Sequence, residues 1–131
     1  MAIVADTDIV SYIFKKDTRA ELYEPHLLQV SKFISFMSLA ELRRWQFQNN
    51  WGKPKNEKFE NLLSDFGVIY ADEKLCNLWA KIKSEAYKKG RPVETADAWI
   101  AAVALMFDIP LVTHNRRHFE NISGLQLISE S

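Results

Sequence analysis

The chain has 131 residues, 47% hydrophobic and 26% charged, with four Gly and four Pro, the profile of one compact domain over residues 1–131. Seventeen basic residues balance seventeen acidic ones, so polybasic, histone-like binding is excluded and any nucleic-acid contact must come from local clusters. Cys76 is the only cysteine, which excludes an intramolecular disulfide and a structural zinc cluster and fits a reducing, cytoplasmic setting; no apolar run is long enough for a membrane span, and the start lacks the basic residues of a signal peptide.

Ile3-Val4-Ala5 reads as a short strand that stops at Asp6-Thr7-Asp8, after which Ile9, Val10, Ile13 and Phe14 recur at helical spacing. A second helical stretch over residues 19–29 is expected to be interrupted by Pro25. Residues 33–37 read as a buried second strand, and Ser38-Leu39-Ala40-Glu41 has capping-box spacing for the helix that follows. Residues 53–58 are a polar, basic connection or a helix start, residues 59–65 are helical, and Val68-Ile69-Tyr70 is a third strand before Asp72, an N-cap.

The clearest helix spans residues 72–89, with Leu75, Leu78, Trp79, Ile82 and Ala86 on one face and Gly90 closing it. The helix over residues 94–107 is apolar on every side from Ala98 onward, which requires burial all round. Leu111-Val112-Thr113 is a strand, residues 114–117 a polar loop, and residues 125–128 a last strand. Strands alternating with helices imply parallel pairing and a small three-layer α/β/α domain around a mostly parallel sheet of four to five strands.

In such sheets ligands bind outside the carboxyl ends of the strands. Asp6 and Asp8 follow the first strand, Glu41 lies early in the helix after the second, Asn115 lies beyond the fourth, and Asp97 lies in the first turn of the apolar helix. Each acid also has a purely structural reading: Asp6 or Asp8 as a helix cap, Glu41 as the reciprocal partner of Ser38, and Asp97 as a charge on a helix dipole. Periodicity alone leaves these alternatives open.

The residue strings around the acids resemble those of the PIN-domain ribonucleases, and within them the VapC toxins of toxin/antitoxin pairs. Ile3-Val4-Ala5-Asp6-Thr7-Asp8 is similar to the family's opening strand and Asp-Thr-Asn, with Asp8 replacing the usual Asn. Phe36-Met37-Ser38-Leu39-Ala40-Glu41-Leu42 resembles the second motif, and Asp97-Ala98-Trp99-Ile100-Ala101-Ala102 the third. Leu111-Val112-Thr113-His114-Asn115, followed by Phe119, resembles the fourth, with Asn115 where the family frequently has Asp. His118 stands where relatives commonly carry an acid, and its expected state is that of a solvated loop histidine.

The resemblance implies an endoribonuclease leaving 5′-phosphate and 3′-hydroxyl ends. Asp6, Glu41 and Asp97 would be its catalytic carboxylates and metal ligands; Asn115, Thr113, Asp8, Thr7, Ser38 and Glu94 would be auxiliary. Converging carboxylates without Cys or paired His favour a hard cation, Mg²⁺ or alternatively Mn²⁺. For phosphate contacts, Arg43, Arg44, Arg116 and Arg117 lie nearest the motifs; Trp45 or Trp51 would stack on a base, whereas Trp79 and Trp99 belong to the core. A VapB-type antitoxin, a homodimer and an RNA substrate complete the expectation. Two alternatives remain: a PIN-type RNA- or protein-binding module without turnover, and a haloacid-dehalogenase-like phosphatase with Asp6 as nucleophile and Asp8 as acid/base.

Overall fold

The computed structural model describes residues 1–131. Five strands form one sheet: β1 (Ala2–Ala5), β2 (Ser31–Ser35), β3 (Gly67–Ile69), β4 (Leu111–Val112) and β5 (Leu127–Ile128), in the order β3-β2-β1-β4-β5. Every pairing is parallel, with Val4 opposite both Phe33 and Leu111, and Ala5 opposite Val112. The chain therefore builds outward from β1 in one direction through β2 and β3, then returns to add β4 and β5 on the other side. That reversal opens a crevice between the carboxyl ends of β1 and β4.

Helices cover both faces. Ile3, Ala5, Ile34 and Val112 face α1 (Thr7–Lys15), α2 (Ala20–Leu27), α3 (Phe36–Asn49) and α4 (Lys53–Leu63). Val4 and Leu111 face α5 (Glu73–Lys88), α6 (Thr95–Phe107) and α7 (Arg116–Phe119). This is why β1 carries no polar residue on either side: successive residues enter different cores. In α6, residues Ala98, Ile100, Ala101, Ala102, Val103 and Ala104 are all buried, as its uninterrupted apolar run requires. Gly67 is fixed by crowding, since a Cβ there would sit 2.7 Å from the Phe33 ring.

Several boundaries differ from the sequence reading. The second strand ends at Ser35, and α3 begins at Phe36 with Ser35 as its N-cap, its hydroxyl accepting from Met37 N at 2.9 Å and Ser38 N at 3.3 Å. Ser38 is therefore inside the helix and forms no capping box with Glu41; an apolar run crossing from strand to helix looks alike in either state. Pro25 lies within α2 without ending it. Residues 53–58 open α4, with Pro54 in its first turn, where a missing N–H leaves no helical bond unmade. The expected loop at 114–117 turns into α7 at Arg116, and the last strand is confined to Leu127–Ile128.

Trp79 and Trp99 stack at 5.1 Å between centroids and pack on the core, as expected. Trp45 and Trp51 meet each other at 4.9 Å and also pack against Phe14 and Phe59, so both are partly buried members of the opposite core. Protein rings surround them, which leaves the expected base-stacking role without support.

Candidate active site

Asp6 sits where β1 ends, at the crevice. Its Oδ1 accepts from Thr7 N at 2.7 Å, so it does cap α1, and its Oδ2 accepts from the Thr113 hydroxyl at 2.7 Å across the β1–β4 junction. Asp6 is only 6% exposed. Burial pushes its carboxyl well above the ordinary range, and the charges of Asp8 and Asp97 push in the same direction against the two hydrogen bonds. A cap alone needs no such crowding by other acids, so the capping role is real but incomplete.

Asp8, in the first turn of α1, is held by the loop after β4: its Oδ2 accepts from His114 N at 3.1 Å and Asn115 Nδ2 at 2.9 Å. Burial raises this carboxyl too. Its Oδ1 is buried with no hydrogen-bond partner, an expensive state for an acceptor unless something outside the chain satisfies it.

Glu41 reaches the same region from α3. Thr7 Oγ1 lies 2.7 Å from Glu41 Oε1 and 2.8 Å from the buried Ser38 Oγ. A carboxylate only accepts and a hydroxyl has one proton, so Thr7 donates to Glu41 and accepts from Ser38. Ser38 and Glu41 are thus linked through Thr7, and both serve the crevice.

Asp97, in the first turn of α6, has a side chain 16% exposed; burial raises its carboxyl, with Glu94 and Glu41 adding to the effect and His118 opposing it. His118 Nδ1 lies 3.2 Å from Asp97 Oδ2. His118 stays solvent-exposed, as expected, but it lies in α7 rather than in a loop, and α7 turns its imidazole back onto the cluster, a tertiary contact that its polar sequence surroundings conceal. Glu94 is the exposed N-cap residue of α6 but its side chain makes no cap bond, so it acts here only through its charge.

Thr113, fully buried, also accepts from Asn115 N at 3.0 Å, which sets the loop that holds Asp8. That loop is braced from behind by Tyr23, whose hydroxyl lies 2.6 Å from His114 Nδ1 and 3.3 Å from Thr113 O and accepts from Glu130 N at 2.9 Å. Nothing in the sequence around Tyr23 signals this role. Tyr23→Phe removes all three contacts and leaves partly buried groups unpaired, so it should cost about 1–3 kcal/mol in a urea melt; an unchanged midpoint would show that the brace contributes nothing.

Of the expected phosphate-binding arginines, Arg43 is engaged by Glu60 and Gln46, and the guanidinium lowers the Glu60 carboxyl. Arg44 is exposed on α3. Arg116 and Arg117 line a wholly polar recess of 410 Å³ with His114, Asn115 and His118, directly beside Asp8 and Asp97.

The donors fit a hard divalent cation: all are oxygens, three carboxyls are pushed up by burial in one another's company, and one buried oxygen lacks a partner. No three acids or imidazoles form a ready cage. That suits an ion held by one or two carboxylates, with water and substrate phosphate supplying the rest, better than a permanently caged one.

Comparison with known proteins identifies the family and the fold. Residues 3–125 match the PIN domain. The chain is 31% identical over 128 residues to a protein named ribonuclease VapC1 from Haemophilus influenzae, covering 96% of each. Among solved structures it is similar to a chain of VapBC2 from Rickettsia felis, determined bound to a DNA fragment from the promoter, with a TM-score of 0.87, 25% identity and complete coverage of both chains. A chain of VapBC-1 from nontypeable Haemophilus influenzae gives a TM-score of 0.81 at 28% identity, covering 98% of each.

Proposed function

The chain belongs to the PIN-domain family, and from that premise we propose that it is a VapC-type ribonuclease, the toxin of a toxin/antitoxin pair, and a divalent-metal-dependent endonuclease. The carrying observation is the meeting of Asp6, Asp8 and Asp97 at the β1–β4 crevice, each carboxyl raised by burial. Burying three carboxyls together, with Asp6 further opposed by Asp8 and Asp97, is tolerable where a cation and a phosphate group complete the charge balance.

Asp6 and Asp97 are the proposed metal ligands, with Mg²⁺ the ion and Mn²⁺ its substitute. When bound, the ion neutralises the cluster and lowers the pKa of water beside the scissile phosphate. Glu41 keeps Oε1 on the Thr7 hydroxyl, which fixes the carboxylate and directs its other oxygen to orient and deprotonate the attacking water. Thr113 holds Asp6 in its rotamer, while Asn115 and His114 hold Asp8. Water adds to phosphorus as the P–O3′ bond breaks, leaving a 5′-phosphate and a 3′-hydroxyl. Arg116 and Arg117, in the polar recess, supply phosphate contacts; Arg44 is a further exposed candidate, and Arg43 is already neutralised by Glu60.

A VapB-type antitoxin and a second copy of the chain are the proposed partners. The VapBC relatives support the first. A groove between α1 and α2, in which Ile13, Ala20, Leu27 and the exposed Leu28 are interspersed with charged residues, among them Lys16, Glu21 and Glu24, is of a kind that takes an amphipathic peptide segment. The phosphatase reading lacks the later acidic pair it needs, since Thr113-His114-Asn115 supplies none.

The test is incubation of total cellular RNA with purified, antitoxin-free protein, with and without Mg²⁺ or Mn²⁺, followed by mapping of the ends. Discrete, metal-dependent cuts with 5′-phosphates are expected. Folded protein that binds RNA and cuts under no metal would move the reading to the binding module.

A further inference from the structure

Arg19 belongs to no sequence motif, yet its guanidinium is held on two sides. Asp17, in the turn after α1, accepts from Arg19 N at 2.9 Å, Nε at 3.0 Å and Nη2 at 2.8 Å. These bonds lay the guanidinium over the Tyr12 ring, 4.1 Å from its centroid. Tyr12 lies one helical turn beyond Asp8, and its edge meets the His114 ring at 5.8 Å between centroids. The backbone N–H of that histidine holds Asp8. The chain of contacts from Arg19 to the carboxylate cluster is therefore continuous.

The side chain of Arg19 is 48% exposed, and Nη1 has no partner within the chain. An ordinary surface arginine must freeze several torsions to bind anything. Here one edge of the fork is already pinned and its plane is set by the ring beneath, so the outward N–H groups are presented in fixed directions. Tyr12 offers no free face on that side, because the guanidinium covers it. What remains is a charged donor edge, which suits a phosphate oxygen rather than a stacked base.

We propose that Arg19, held by Asp17 and Tyr12, contacts a backbone phosphate of single-stranded RNA on the α1–α2 side of the crevice. The inference rests on the ribonuclease reading above and extends it. Arg116 and Arg117 line the separate polar recess with His114 and Asn115, so Arg19 adds a further phosphate contact to a cleft that would by itself repel the strand. Because Asp17 balances the charge of Arg19, the contact acts mainly through directed hydrogen bonds from the outward edge of the fork and contributes less than one phosphate's worth of salt dependence.

The experiment measures binding of a labelled single-stranded RNA by anisotropy over a range of salt, in an Asp6→Asn background that leaves the RNA intact. Arg19→Ala is expected to weaken binding about 5- to 10-fold and to reduce the salt slope by less than one. Arg19→Lys should recover part of the affinity, and Tyr12→Phe, which keeps the ring, should recover nearly all. In the cutting protein, Arg19→Ala should raise KM with kcat preserved. Equal affinity and slope in Arg19→Ala and parent would overturn the assignment, as would a fall in kcat at constant KM. A parent that binds RNA without cutting it overturns the nuclease reading alone.

Discussion

Asp6→Asn is expected to abolish metal-dependent cleavage while leaving the fold intact and, in metal-free buffer, more stable. Asparagine caps a helix as well as aspartate does, so Oδ1 keeps its bond from Thr7 N, and the new Nδ2 donates to Thr113 Oγ1, which then accepts from both Nδ2 and Asn115 N and gives up its own bond to position 6. What is lost is one negative charge from a site where burial, Asp8 and Asp97 all oppose it. Removing a charge that burial and two neighbouring acids oppose relieves an electrostatic penalty, so the melting temperature in chelator should rise. The loss of a direct ligand should exceed the ~10–100-fold typical of groups that only support ligands. A variant both more stable and inactive separates chemistry from folding. Residual cleavage within tenfold of the parent, by protein free of contaminating nuclease, would remove Asp6 from the metal site.

The positions of Asp6, Asp97 and Asn115 were readable because each follows or flanks an apolar segment that had to be interior, and a parallel sheet gathers such ends along one edge. The role of Glu41 was harder to read. Phe33-Ile34-Ser35-Phe36-Met37 is apolar through both the end of β2 and the first turn of α3, and Ser35 and Ser38 are equally good caps by type. Only the strand's register decides between them. Placing the cap at Ser35 leaves Ser38 and Glu41 facing Thr7. His118, Tyr23 and Arg19 were illegible for a different reason: their partners lie 21 residues away at Asp97, 91 away at His114, and across a turn at Tyr12. Asp17-Thr18-Arg19 does carry a local signal for an Asx-type turn, but nothing in it announces the ring below.

The metal-free protein should lose stability as pH rises above about 4, and divalent metal should reverse that loss. Asp6, Asp8 and Asp97 all have carboxyls raised above their unfolded values. Between the unfolded and folded values the native state binds more protons, so the slope of unfolding free energy against pH is negative in that window. Asp17 and Glu60 are shifted the other way, by Arg19 and Arg43. Their contribution is already complete above the ordinary carboxylate range and disappears only below it. Above pH 4 the crevice therefore dominates, opposed by His118 beside Asp97 and by His114 beside Asp8. Mg²⁺ or Mn²⁺ binds the ionised cluster, and at 100 times its dissociation constant adds about 2.7 kcal/mol. Thermal melts across this pH range, in chelator and in metal, should diverge as pH increases, and Asp6→Asn should flatten the chelator curve. Stability that rises with pH in chelator, or curves that coincide in metal, would mean that the three carboxylates are not the charge-frustrated cluster on which the proposed chemistry depends.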